Sequence, residues 1–137
     1  MEVFFLNPTM EAAKVRATED RKNIRGQLLS RIRASIKEVW SLRGELDEVS
    51  RERLTLYVYN ATASLGLNWF DTTMYVTHYL PGITNLTAPL LRVEYRTGSD
   101  TPYARYEASV NEVRRNSIQL ADDNFDLYTN EETDVQP

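Results

Sequence analysis

The 137-residue sequence has no cysteine and a single histidine, His78. Without cysteine, disulfides and thiolate metal sites are excluded. One histidine cannot form a histidine cluster for zinc, and it leaves few schemes for general-base catalysis. The sequence also contains no phosphate-binding loop, dinucleotide fingerprint or nucleophile elbow. We therefore expect no enzyme activity, no catalytic residue, no metal site and no cofactor.

Long apolar runs are missing as well. No run approaches the roughly 18 residues that span a bilayer. Residues 1–6 are apolar but include Glu2, lack a basic start and stop at Asn7 and Pro8, unlike a secretory signal. We expect no membrane partner and a location in the cytoplasm or in a virion.

Charge is sorted along the chain. Residues 14–43 contain nine basic and three acidic residues, whereas six acidic residues and no basic residue follow Arg115. The net charge of −4 hides this separation. Blocks of one sign are typical of surfaces that meet partners.

Composition and periodicity predict an α+β fold, with an N-terminal arm at 1–8, one domain at 9–120 and an acidic tail at 121–137. The predicted domain is a long helical hairpin packed on a small antiparallel β-hairpin or sheet. Its first helix runs from Thr9 to about residue 42, with an apolar stripe at Ile24, Leu28, Ile32, Ile36 and Val39. A second helix is predicted over 45–65, although residues 54–59 also fit a strand because they are β-branched and aromatic.

Strand signals follow. Residues 72–80 read as a strand, and Leu91, Val93 and Tyr95 alternate with polar residues. After a turn at 97–102, residues 104–108 alternate again, which favours a hairpin with 91–95. The alternative is a helix that begins at Thr101 and Pro102, because residues 103–113 also fit helical spacing.

The acidic tail interleaves Phe125, Leu127 and Tyr128 with carboxylates. Segments of this composition dock into basic, partly apolar grooves. We therefore expect the tail, together with the arm at Phe4 and Phe5, to lie on a neighbouring subunit. Trp69, at a helix-to-strand junction, is expected either to seal the core or to anchor an interface. His78 is expected to be a structural residue.

The basic segment has two interpretations. Its arginines could bind phosphates of a nucleic acid, but the acidic net charge and the spread of these residues over several helical faces weigh against it. Arginine equally suits protein interfaces, where it pairs with carboxylates. The predicted interface residues are Phe4, Phe5, Arg21, Lys22, Arg25, Arg31, Arg33, Trp69, Phe125, Asp126 and Tyr128.

The function that the sequence favours is a non-enzymatic structural subunit of a larger protein complex. Its expected partners are copies of itself and other subunits, and a ring or connector component of a viral or phage particle fits the design. The alternative is a nucleic-acid-binding module that uses the arginine-rich helix. Assembly through opposite charges would loosen with salt, because salt screens exposed charges.

Overall fold

The structure, a computed structural model, describes residues 1–9, 27–61, 65–80 and 87–130. The described residues form two three-stranded sheets and four helices, so the fold is α+β. In chain order the elements are β1 (Glu2–Leu6), α1 (Gln27–Glu45), α2 (Glu48–Glu52), β2 (Thr55–Tyr59), β3 (Leu65–Phe70), β4 (Thr73–His78), β5 (Leu90–Glu94), α3 (Pro102–Arg115), β6 (Ser117–Gln119) and α4 (Phe125–Thr129).

The first sheet has the order β1-β2-β6, with β1 parallel and β6 antiparallel to the central strand β2. Parallel neighbours need a crossover connection, and α1 lies within it. Along β2, Leu56 and Val58 are buried while Thr55, Tyr57 and Tyr59 are only partly covered. This alternation directs one face of the sheet to the core.

The core of this half forms between the first sheet, α1 and α4. Ile36 of α1 packs with Leu56, Val58, Leu120 and Tyr128, all of them buried. At its edge, the ring of Trp40 stacks on that of Phe125, with centroids 5.3 Å apart. Stacked rings contribute about 0.5–1.5 kcal/mol beyond the area they bury.

The second sheet is antiparallel, with the order β3-β4-β5. Met74 and Val76 of the central strand β4 are buried beneath Tyr103 of α3. The indole N–H of Trp69 donates to the hydroxyl of Tyr103 at 2.8 Å and to the carbonyl of Asp71 at 3.0 Å. Trp69 therefore helps to seal this core.

The predicted helix over 45–65 is wrong. Among the described residues from 46 to 61, α2 is the only helix, and residues 55–59 form the strand β2. The local sequence pattern could not decide between helix and strand for residues 54–59. A segment rich in β-branched and aromatic residues fits a strand wherever neighbouring strands supply hydrogen bonds on both sides. Here β1 and β6 supply them, so the part of 45–65 that the structure describes does not form the second helix of a long hairpin.

The predicted hairpin between 91–95 and 104–108 is also wrong in its second half. Residues 90–94 form β5 as expected, but residues 102–115 form α3. The hydroxyl of Thr101 accepts from the backbone N–H of Ala104 at 3.1 Å, and Pro102 occupies the first turn. This capping starts a helix where alternation alone predicted a strand.

The two ends of the described chain pack on its own core. Residues 2–6 form an edge strand rather than a projecting arm, and residues 125–129 form the short helix α4. The part of the predicted first helix at 10–26 and the end of the acidic tail at 131–137 lie outside the described residues. No helix within the described ranges is long and apolar enough to cross a membrane.

We expect Leu56→Ala to lower the free energy of unfolding by roughly 2–5 kcal/mol, because the fully buried side chain would leave a cavity. Leu127→Ala removes the same atoms from an exposed position of α4 and should change the free energy of unfolding by less than about 0.5 kcal/mol. Urea unfolding followed by circular dichroism measures both. Equal effects of the two substitutions would contradict the core described above.

Candidate functional site

Strand β5 exposes large apolar side chains at the open edge of the second sheet. Leu90 is 63% exposed, Leu91 45% and Tyr95, just after the strand, 53%. On its inner side β5 pairs with β4, and within the described ranges no strand pairs with its outer side. An open edge with apolar side chains is a template for another chain.

The two faces of β5 differ in chemistry. Residues opposite one another in the ladder share a face, so Val93 lies with Met74 and Leu91 with Val76 on the side covered by α3. Tyr95 continues this face, and its ring meets that of Tyr103 edge-on at 5.4 Å. Leu91 and Tyr95 are thus apolar residues that α3 covers only in part.

The opposite face of β5 carries a pair of charges. A guanidinium nitrogen of Arg92 lies 2.6 Å from a carboxylate oxygen of Glu94, and these side chains remain 64% and 44% exposed. Exposed pairs of this kind contribute about 0–1 kcal/mol to stability. Arg92 and Glu94 can therefore exchange partners at little cost.

A second feature is a groove of about 710 Å³ between the two halves of the molecule. Its walls are β3, one side of α3 and the edge of the first sheet. The lining combines charged and polar residues with five aromatic side chains, those of Phe4, Tyr59, Trp69, Tyr79 and Tyr106.

Charged groups at the groove are already paired within the chain. Arg114 of α3 binds the carboxylate of Glu2 through two nitrogens, at 2.9 and 3.0 Å. Glu112 accepts from Arg115 at 2.5 Å and from the side-chain amide of Asn116 at 3.0 Å. The pair between Glu2 and Arg114 joins β1 to α3 and so connects the two halves.

His78 lies beside this groove in a structural contact. Its Nε2 is 2.9 Å from the hydroxyl of Tyr106, which ties the end of β4 to α3. Among the described residues, no group of three or more His, Cys, Asp or Glu side chains could hold a metal ion.

The predicted interface residues of the arm have intramolecular contacts. The ring of Phe4 stacks on Tyr57 with centroids 4.8 Å apart, and Phe5 packs against the core around Ile36. Both residues belong to β1, which pairs with β2 along its whole length.

The predicted interface residues of the acidic segment also face this chain. Phe125 stacks on Trp40 and Tyr128 is buried beside Ile36, whereas Asp126 stays exposed on α4. Both aromatic residues thus pack on α1 of their own chain, where the local core accommodates them.

The basic segment contributes fewer surface residues than its sequence suggests. Arg31 is exposed on α1, but Arg33 is buried, since its position places it on the same helical face as Leu29 and Ile36. The prediction of Arg33 as a surface residue is therefore wrong. Arg21, Lys22 and Arg25 lie outside the described residues.

Sequence reasoning missed the edge of β5 as a site. The signal was present, because Leu91, Val93 and Tyr95 alternate with Arg92 and Glu94. It was misread because residues 104–108 were expected to pair with this strand and cover it. Once those residues form a helix, the edge is left open.

The partly buried phenol of Tyr59 gives the groove a measurable property. Burial, and then the neighbouring Tyr79, raises the pKa of Tyr59 from 10.0 to about 12. An unfolded chain releases this proton near pH 10, so the folded chain holds it more tightly above that pH. The stability that Tyr59 contributes is complete below about pH 10 and is lost as the pH rises through about 12.

We therefore expect Tyr59→Phe to remove one late-ionising phenol from the near-ultraviolet titration of the folded protein. In urea unfolding, the free energy of unfolding of the wild type should fall more steeply between about pH 10 and about pH 12 than that of Tyr59→Phe. Coincident titrations of the two proteins would contradict the burial of this phenol.

Comparisons of the chain with protein-family models, with curated proteins and with solved structures find no match. Two surface features of the described residues bear on function, the groove between the two halves and the open edge of β5.

Proposed function

We propose that this protein is a non-enzymatic structural subunit that assembles with copies of itself within a larger protein complex. The observation that carries the proposal is the exposure of Leu90, Leu91 and Tyr95 along the open edge of β5. A sheet edge that exposes unpaired backbone groups together with large apolar side chains is a template for pairing with another chain.

A further exposed aromatic residue lies on β3, the opposite edge strand of the same sheet. Phe70, which is exposed at the end of β3, meets Tyr75 edge-on on the face of the sheet that α3 does not cover. A ring or connector component of a viral or phage particle is one setting in which such a subunit would pack side by side.

The proposed assembly differs in its forces from one based on charge alone. Phe125 and Tyr128 are used within the chain, so the acidic segment up to residue 130 is already docked. Apolar contacts and backbone hydrogen bonds at β5 would then hold subunits together. Salt screens exposed charges over about 10 Å at 0.1 M and about 3 Å at 1 M, but it does not weaken apolar burial.

The test is the molar mass of the purified full chain by light scattering over a range of concentrations, at low and high salt. We expect multiples of the 15.9 kDa chain mass that persist at high salt. Assembly that disappears at high salt would indicate charge pairing instead of apolar contact. A monomer at every concentration and both salts would contradict the proposed self-assembly.

A further inference from the structure

We propose that β5 is a self-complementary dimer edge, at which a second copy of this chain pairs antiparallel with the twofold axis at Val93. The inference rests on the proposed function and names the surface and the partner. It joins the three-stranded sheets of two copies into one continuous sheet.

The direction of the backbone groups fixes which residues can pair across this edge. The N–H of Tyr95 donates to the carbonyl of Thr72 at 2.9 Å, toward the β4 side. Successive residues of a strand direct their N–H and C=O groups to opposite sides, so Val93 and Leu91 also face β4. Arg92 and Glu94 therefore direct their N–H and C=O groups outward.

A twofold axis at Val93 matches this backbone arrangement. In an antiparallel pair centred there, Arg92 lies opposite Glu94 of the second copy, and the symmetry repeats the pair. Both positions have outward-facing backbone groups, so each pair can exchange two N–H···O=C bonds. Val93 opposes Val93 of the second copy at the closely spaced position between them.

Side chains match in the same register. Arg92 of one copy meets Glu94 of the other on one face, in place of the exposed pair that they form within the strand. On the other face Leu91 meets Tyr95 of the second copy, beside the two valines. The apolar side chains that α3 leaves partly exposed would thus cover one another across the axis.

This complementarity is a property of the sequence order. A strand pairs with itself in antiparallel register only if residues equally distant from the axis suit one another. Opposite charges at 92 and 94 and apolar residues at 91 and 95 meet this condition. Like charges at 92 and 94 would instead repel directly across the strands.

Charge exchange tests the register. R92E brings carboxylates together in both symmetric pairs, and E94R brings guanidinium groups together. We expect each single variant to raise the dissociation constant of the dimer about tenfold. The double variant R92E/E94R restores opposite charges and should associate as the wild type does, and an equimolar mixture of the two single variants should form heterodimers.

Cross-linking tests the position of the twofold axis. Because the chain has no native cysteine, an introduced cysteine has no other thiol of the chain to pair with. In V93C the two Cα atoms would be about 4.5 Å apart, within the range of a disulfide. We expect V93C to form a covalent dimer in an oxidised glutathione buffer. L90C is the matched control, because its two cysteines would lie six residues, or about 20 Å, apart along the strands.

The outcomes separate this inference from the proposed function. Thermal unfolding by circular dichroism establishes that each variant is folded. Two results would overturn the β5 dimer and leave self-assembly through another surface, provided that the wild type assembles. The first is that R92E and E94R assemble as well as the wild type. The second is that V93C cross-links no more than L90C. A monomeric wild type in which V93C does not cross-link would overturn both the β5 dimer and the proposed function.

Discussion

Helix α3 is the element on which both halves of the molecule depend. Its first turn places Tyr103 over the buried residues of the second sheet, and its last turn pairs Arg114 with Glu2 of the first sheet. The chain then passes from Arg115 almost directly into β6, which completes the first sheet beside β2. Because α3 belongs to one core and leads into the other, its position also sets the width of the groove between them.

The same helix determines which edge is open. Residues 102–115 could have paired with β5 as a strand, and β5 would then have been an inner strand of its sheet. The cap at Thr101 and the proline that follows it favour a helix instead, which packs across the face of the sheet. The exposure of Leu91 and Tyr95 is thus a consequence of how α3 starts, since a helix on one face cannot pair with the edge.

The local sequence pattern predicted those elements whose secondary structure does not depend on residues far away in the sequence. The strands β4 and β5 follow from alternation, and α1 follows from the apolar spacing that buries Ile36. β2 could not be separated from a helix, because its strand form depends on β1 and β6, which lie far from it in sequence. For the same reason the burial of Arg33 could not be predicted from the sequence. An apolar stripe shows which face of a helix is buried, but it does not show how far the core extends around the helix.

Charge sorting in the sequence misled most where aromatic residues accompany the charges. Phe125 and Tyr128 stand among carboxylates, yet the free energy of burying a large aromatic side chain exceeds that of an exposed ion pair. The aromatic residues of the segment therefore pack on Trp40 and Ile36. Its carboxylates, such as Asp126, remain exposed on the surface. At β5 the balance is different, because its apolar side chains have too little cover within one chain. In the dimer that we propose, a second copy supplies both the cover and the hydrogen bonds, and the charged face of the strand, Arg92 and Glu94, decides which register is allowed.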